Sequence, residues 1–300
     1  MRFFRNIVLM GLVNIGIIVT LSIVLQVTGL STYIEQSGYS YASLAVFCLI
    51  WGMGGAFISL LLSKTIAKWS MGVKVFKQGE GDSNIQKLYR ILHQCSANAG
   101  LKKIPEFGVY KSPEMNAFAT GPSESRALVA VSSGLIEKMT DSEIEGVIAH
   151  EVAHIKNGDM ITMTLIQGIV NALVMFLARI IAFAVASNIE RESQRYWVRF
   201  AVIIVCEIVL GLFGVMLTSW FSRRREFRAD AGGAKYSSPQ KMLAALEALQ
   251  RRFEPMDNRA PQMAALKISS GRKGGFLALM STHPPLSDRI QALKTATLIR

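Results

Sequence analysis

Four stretches of this chain, roughly residues 7–25, 44–62, 161–187 and 198–218, run for about twenty residues with almost no charge. Wound as helices rising ~1.5 Å per residue, each is long enough to cross a hydrocarbon core ~30 Å thick. Composition supports the same reading, since 51% of the 300 residues are hydrophobic and only 18% are charged. Mean hydropathy is +0.33, too high for an ordinary soluble domain. The first run follows Arg2 and Arg5, as a secretory signal would. Its apolar core is longer than the usual ~7–15 residues and no A-x-A-like cleavage site follows, so it reads as a retained anchor.

The basic residues orient these spans. Residues 26–43 carry Glu35 and no Lys or Arg, whereas Lys64, Lys68, Lys74 and Lys77 follow the second run. Arg191 and Arg195 are balanced by Glu190 and Glu192, while Arg223, Arg224, Arg225 and Arg228 follow the fourth. An excess of positive charge marks the cytoplasmic side. Both termini and residues 63–160 and 219–300 are therefore expected in the cytoplasm. The expected organisation is a membrane hairpin at 1–62, a soluble part at 63–160, a second hairpin at 161–218 and a helical soluble part at 219–300. The net charge of +12 then reflects topology and attraction to anionic headgroups, and calls for no nucleic-acid partner. The three cysteines, Cys48, Cys95 and Cys206, form no C-x-x-C, so neither a disulfide framework nor a thiolate zinc site is expected.

In the first soluble part, Asp82 or Ser83 caps a helix with an apolar face of Ile85, Leu88, Tyr89, Leu92 and Cys95, ending near Gly100. His93 falls off that face and reads as a surface residue. EFGVYK (106–111), NAFAT (116–120) and ALVAV (127–131) are short and strand-like, which predicts a small sheet packed on the next helix. In the second part a helix starts at Ser238-Pro239, with Met242, Leu243, Leu246 and Leu249 inward, and a last one begins near Ser287. Residues 253–275 are polar and read as a linker.

The chemistry is in VIAHEVAHIKNGD, residues 147–159. Thr140 and Glu143 form a T-x-x-E capping box that starts a helix, and Gly158 can end it. At 100° per residue Ile144, Val147, Ile148, Val152 and Ile155 share one apolar face. Glu151 falls inside that face, with His150 and His154 beside it, one turn apart and pointing the same way. A carboxylate on a buried face is costly unless something compensates it. A cation between the imidazoles supplies the compensation. Two imidazoles at i and i+4 can both reach a Zn²⁺ at ~2.0–2.1 Å. The intervening glutamate is then placed to take a proton from metal-bound water, whose pKa zinc lowers towards ~7. His-Glu-x-x-His alone arises by chance in on the order of one chain in a few hundred of this size, so a third ligand is needed to make the case. The metzincin continuation fails, because Asn157 and Met160 stand where Gly and His are required. The remaining histidines are His93 and His283. The alternative is REFRAD, 225–230, where Glu226 and Asp230 lie one helical turn apart among small residues. One of these carboxylates could bind zinc while the other accepts a histidine N–H. Both could instead pair with the neighbouring arginines.

NAFATG at 116–121, VIAHEVAHIKNGD, a pair of apolar segments, E-x-x-x-D at 226–230 and THPPLSDRI at 282–290 occur in that order along the chain. In this it resembles the HtpX-type heat-shock membrane metalloproteases, relatives of the CAAX prenyl endopeptidases, over its whole length. The resemblance implies a mostly α membrane protein: four transmembrane helices and a cytoplasmic zincin-like α+β protease domain with a small sheet. It implies one Zn²⁺ held by His150, His154 and Glu226, with Glu151 as general base and proton shuttle. Asp230 would steady a ligand. His283 and Arg289 would lie near the cleft, stabilising the oxyanion or packing the site. Asn116, Ala117 and Phe118 would pair with substrate backbone by strand addition. The implied activity is a zinc endopeptidase of the bacterial inner membrane, cutting cytoplasmic regions of misfolded membrane proteins in stress-related quality control. The competing reading, from another class, is a membrane-embedded metal-binding chaperone or scaffold without proteolysis; the intact Glu151 speaks against it. A channel or transporter is disfavoured by the scarcity of polar groups in the spans.

Two charges stand out in those spans. Arg179 and Glu207 are each alone in apolar sequence. Both would lie about 12–14 Å in from the outer end of their spans, at ~1.5 Å per residue. Intramembrane charges are costly and usually partnered, so the two are expected to pair and hold the spans in register.

Overall fold

The structure is a computed structural model that describes residues 41–253 and 279–298. In chain order its elements are α1 (Tyr41–Met71), β1 (Lys74–Phe76), α2 (Ser83–Asn98), β2 (Glu106–Tyr110), β3 (Ala117–Thr120), β4 (Leu128–Ser132), α3 (Ser133–Lys138), α4 (Asp141–Lys156), α5 (Asp159–Ala186), α6 (Glu192–Tyr236), α7 (Pro239–Phe253) and α8 (Leu286–Leu298). The described residues are mostly helical, with one small mixed sheet. The described residues divide into two compact units. One takes in 41–58, Met163–Phe221 and Leu279–Ser281; the other takes in Ser59–Thr162, 222–253 and 282–298.

Among the described residues three helices, α1, α5 and α6, are long and apolar enough to cross a membrane. The expected span at 7–25 lies outside the described residues. In the first unit α1 and α5 pack through Cys48, Val170, Val174 and Met175, with Leu210 of α6 against them. Gly52 lets the two backbones meet: a Cβ there would sit 2.6 Å from Ala172 N. Glu207 is fully buried, and Arg179 Nη1 stands 3.2 Å from its Oε1. The expected pairing of Arg179 with Glu207 is therefore present. The fourth apolar run is only the middle of α6. At 45 residues this helix is about 67 Å long, so it continues well past residue 218 to Tyr236. Nothing between Thr218 and Tyr236 breaks it, since the glycines at 232 and 233 stay helical and no proline intervenes.

The second unit is built around α4. Its four-stranded sheet has the order β1-β2-β4-β3, with β2 and β4 parallel and both outer pairs antiparallel. β4, with the sequence LVAVS, is buried along its whole length and lies between two other strands. β3 is half-buried throughout and forms one edge. β1 was not expected from the sequence; three residues are too few to show alternation. α2, the sheet, α4 and α7 enclose one core in which Leu92, Phe107, Val129, Val131, Ile148 and Val152 are fully inaccessible. Burying side chains of this size stabilises the fold by about 1.5–3 kcal/mol each. α2 starts at Asp82, whose side chain accepts from Ile85 N, and α4 starts with the full Thr140–Glu143 capping box.

Candidate metal centre

α4 is surrounded, not merely seated on a core. Its apolar residues Ile144, Val147, Ile148, Val152 and Ile155 are buried as expected, but so are Ala149, Ala153, His150 and His154. Glu151 is half-exposed. That corrects the expectation of a glutamate within the buried face and histidines at its margin. The reason is a second packing partner. α6 and α7 close over the histidine side, through glycines that admit no side chain. A Cβ at Gly233 would lie 3.2 Å from His150 N, one at Gly232 2.6 Å from Ala153 Cβ, and one at Gly146 2.4 Å from Lys241 O. These close approaches bring Glu226, fully buried on α6, opposite the two histidines.

Three ligand atoms converge there. His150 Nε2 and His154 Nε2 are 3.1 Å apart. Glu226 Oε1 is 3.4 Å from His154 Nε2, and its Oε2 is 3.7 Å from His150 Nε2. Tetrahedral ligands at ~2.0–2.1 Å from one ion stand about 3.3–3.4 Å from each other, so the spacing suits a zinc-sized cation. Protonation supports the same conclusion. His150 Nδ1 is 3.0 Å from Asp230 Oδ1, and His154 Nδ1 is 2.7 Å from Asp159 Oδ2. A carboxylate can only accept, so a neutral His154 carries its hydrogen on Nδ1 and turns the lone pair of Nε2 to His150, whereas His150 Nδ1 faces Asp230 off the line of a hydrogen bond. Ring nitrogens 3.1 Å apart need a proton or a metal ion between them. Burial pulls the His150 pKa down, but the Asp230 and Glu226 carboxylates outweigh it and raise it to about 9. The pocket thus favours a positive charge. Glu226 Oε1, although buried, makes no hydrogen bond among the described residues, as suits an atom reserved for an ion.

The surrounding groups are equally particular. Arg289, buried on α8, puts Nε and Nη2 on Asp230 at 2.8 and 2.6 Å and Nη1 3.3 Å from Glu226 Oε2. Of the two readings for Arg289, this geometry favours packing the site, because all three guanidinium nitrogens already face carboxylates. It also merges the alternatives for Asp230, which faces a histidine nitrogen at 3.0 Å and pairs with an arginine. His283 Nδ1 is 2.8 Å from Glu226 Oε2, while more than half of its side chain stays exposed. His93 is on the surface of α2, away from the cluster. Asn116 precedes β3, with its N–H 3.1 Å from Ser132 Oγ and its carbonyl accepting from Ser132 N at 2.9 Å. Ala117 and Phe118 follow in the edge strand, and α4 packs beside it. Asp159 had no role in the expectations from sequence. Its signal was its place directly after Gly158, whose φ of +67° turns the chain back towards α4.

An HExxH helix completed by a glutamate from a second helix, in a chain with helices fit to span a bilayer, defines the class of membrane metalloproteases. Similarity to known proteins agrees. Residues 82–297 match Peptidase family M48, and the chain belongs to that family. It is 46% identical over 301 residues to the protease HtpX homolog of Bacillus pumilus (strain SAFR-032), covering 97% of this chain and 99% of that one. The HtpX homolog of Methylacidiphilum infernorum (isolate V4) is 42% identical over 298 residues, with coverage of 97% and 98%. Protease HtpX of Thioalkalivibrio sulfidiphilus (strain HL-EbGR7) is 44% identical over 284 residues, with 94% and 95%. In fold the chain is similar to the crystal structure of S. mikatae Ste24p, with a TM-score of 0.58 at 17% identity, over 96% of this chain and 66% of that one. The protein is thus a metalloprotease that acts on polypeptides in a membrane setting.

Proposed function

We propose that the protein is a zinc endopeptidase of the bacterial inner membrane that cleaves cytoplasmic regions of membrane proteins, misfolded ones in particular. The observation that carries this is the convergence of His150 Nε2, His154 Nε2 and a Glu226 oxygen within 4.8 Å of one another, with a carboxylate within 3.0 Å of each imidazole Nδ1. Zinc bound there would make hydroxide available at neutral pH and polarise the scissile carbonyl. Glu151 follows His150 on α4 and keeps a half-exposed carboxylate with no ion pair among the described residues. It takes the proton from the attacking water and passes it to the leaving amine. Substrate binds as an added strand along β3. The Asn116–Ser132 bond sets the alternation, so residues 116, 118 and 120 bond to β4 while the N–H and C=O groups of Ala117 and Ala119 point to the free edge. The cytoplasmic placement rests on Lys64, Lys68, Lys74 and Lys77 and on the arginines at 223–228, by the positive-inside rule.

The test is Glu151→Ala in purified full-length protein in detergent. Zinc content should stay at wild-type stoichiometry while cleavage of an unfolded membrane-protein substrate falls by at least about a hundredfold, the scale of a lost general base. Unchanged cleavage would remove the mechanism. A protein that binds zinc and cleaves nothing even as wild type would revive the scaffold reading.

A further inference from the structure

One buried carboxylate near the ligands takes no part in the proton transfers and was not singled out by the sequence. Asp159 is 1% exposed and opens α5, immediately after the turn at Gly158. An acid in the first turn of a helix is ordinary when solvated. Burying it is costly unless it is paired. Here both oxygens are engaged. Oδ2 is 2.7 Å from His154 Nδ1, and Oδ1 is 3.3 Å from Arg228 Nη2. Arg228 lies two residues after Glu226 on α6, and its side chain is 65% exposed. The other histidine has a similar pair of neighbours but no hydrogen bond: His150 Nδ1 is 3.0 Å from Asp230, which Arg289 holds in turn.

We propose that Asp159 is a positioning residue for the metal. It holds His154 in the tautomer and ring orientation that aim Nε2 at the ion, and Arg228 holds Asp159 in turn. One helix, α6, would then supply the third ligand and steady the second. Removing a carboxylate behind a ligating histidine typically weakens metal binding by roughly 10–100-fold. The proposal rests on His150, His154 and Glu226 being the ligands, and its test must separate the two ideas.

Full-length protein in detergent is stripped of metal, and its zinc dissociation constant is measured by competition with a chromophoric chelator. The melting temperature of the metal-free protein is measured alongside. The variants are Asp159→Asn, Asp159→Ala and Arg228→Gln, with Glu226→Gln as the control for the ligand set. The dissociation constant should rise roughly 10–100-fold for Asp159→Ala, less for the isosteric Asp159→Asn and only a few-fold for Arg228→Gln. Metal-free Asp159→Asn should melt with wild type, which separates positioning from mere packing. Wild-type affinity in Asp159→Ala, with binding lost in Glu226→Gln, would overturn the proposal and leave the ligand set standing. Wild-type affinity in Glu226→Gln would overturn the ligand set and the proposal with it. Affinity lost only in variants whose metal-free form also melts lower would make Asp159 structural and overturn the proposal as well.

Discussion

Arg289 shows how a single side chain can be needed at a site without touching the chemistry. Its guanidinium is buried between Asp230 and Glu226, and burial alone would lower its pKa; the Asp230 carboxylate more than offsets this and raises it. Asp230 and Glu226 carry negative charge at a place where water cannot reach them, so the arginine is their counter-ion before any metal arrives. Breaking a buried pair by removing one partner typically costs about 3–5 kcal/mol, because the other charge is left uncompensated. Arg289→Met should therefore lower metal-free stability by about that amount in urea unfolding followed by tryptophan fluorescence. Arg289→Lys should recover only part of it, since an ammonium cannot make the forked contact with Asp230. Full stability in Arg289→Met would show that the two carboxylates are satisfied by other groups.

At the scale of elements, the edge strand makes a sharp distinction between neighbours. Phe118 is in the half of β3 that bonds to β4, opposite Ala130, while the Ala117 N–H points away from the sheet. Proline removes a backbone donor, which a strand tolerates only where that donor is not used in the ladder. Ala117→Pro should keep zinc content and the melting temperature near wild type while slowing peptide cleavage at least about tenfold, the equivalent of one lost bond of roughly 1.4 kcal/mol. Phe118→Pro should instead lower the melting temperature. Equal peptide turnover by Ala117→Pro would rule out substrate pairing at this position. The start of the strand is firmly anchored. Ser132 Oγ donates to Glu114 O at 2.6 Å, accepts from Asn116 N at 3.1 Å and caps α3 through Leu135 N.

For the molecule as a whole, α5 and α6 each carry one charge into apolar surroundings and direct it at the other helix. Arg179 is 12% exposed at its side chain and Glu207 not at all, so either charge alone is costly. Arg179→Met and Glu207→Gln should each destabilise the protein in detergent. The double variant should lose less than the sum, with a coupling of about 0.5–3 kcal/mol, the range found for residues in contact. Strict additivity would mean that the pair contributes nothing to holding α5 beside α6. The same α6 continues without a break to Glu226, Arg228 and Asp230, so the span and the candidate ligands share one continuous helix.

Much of this was legible in one dimension, for a physical reason in each case. Long apolar runs mark helices because a bilayer has a fixed thickness. The capping box at Thr140 and the i, i+4 histidines are local, since one helical turn decides which side chains meet. Even the Arg179–Glu207 pair could be read, because a lone charge in lipid has few alternatives. Tertiary structure decided the rest. Whether Glu151 or the histidines lie deeper depends on α6 and α7, which approach α4 through Gly146, Gly232 and Gly233; a helical wheel of α4 contains no trace of them. The convergence of Glu226 with residues more than seventy positions earlier, the carboxylate behind each histidine and the arginine behind each carboxylate are contacts between helices. Their energies come from burial and pairing in three dimensions, and no local spacing encodes those.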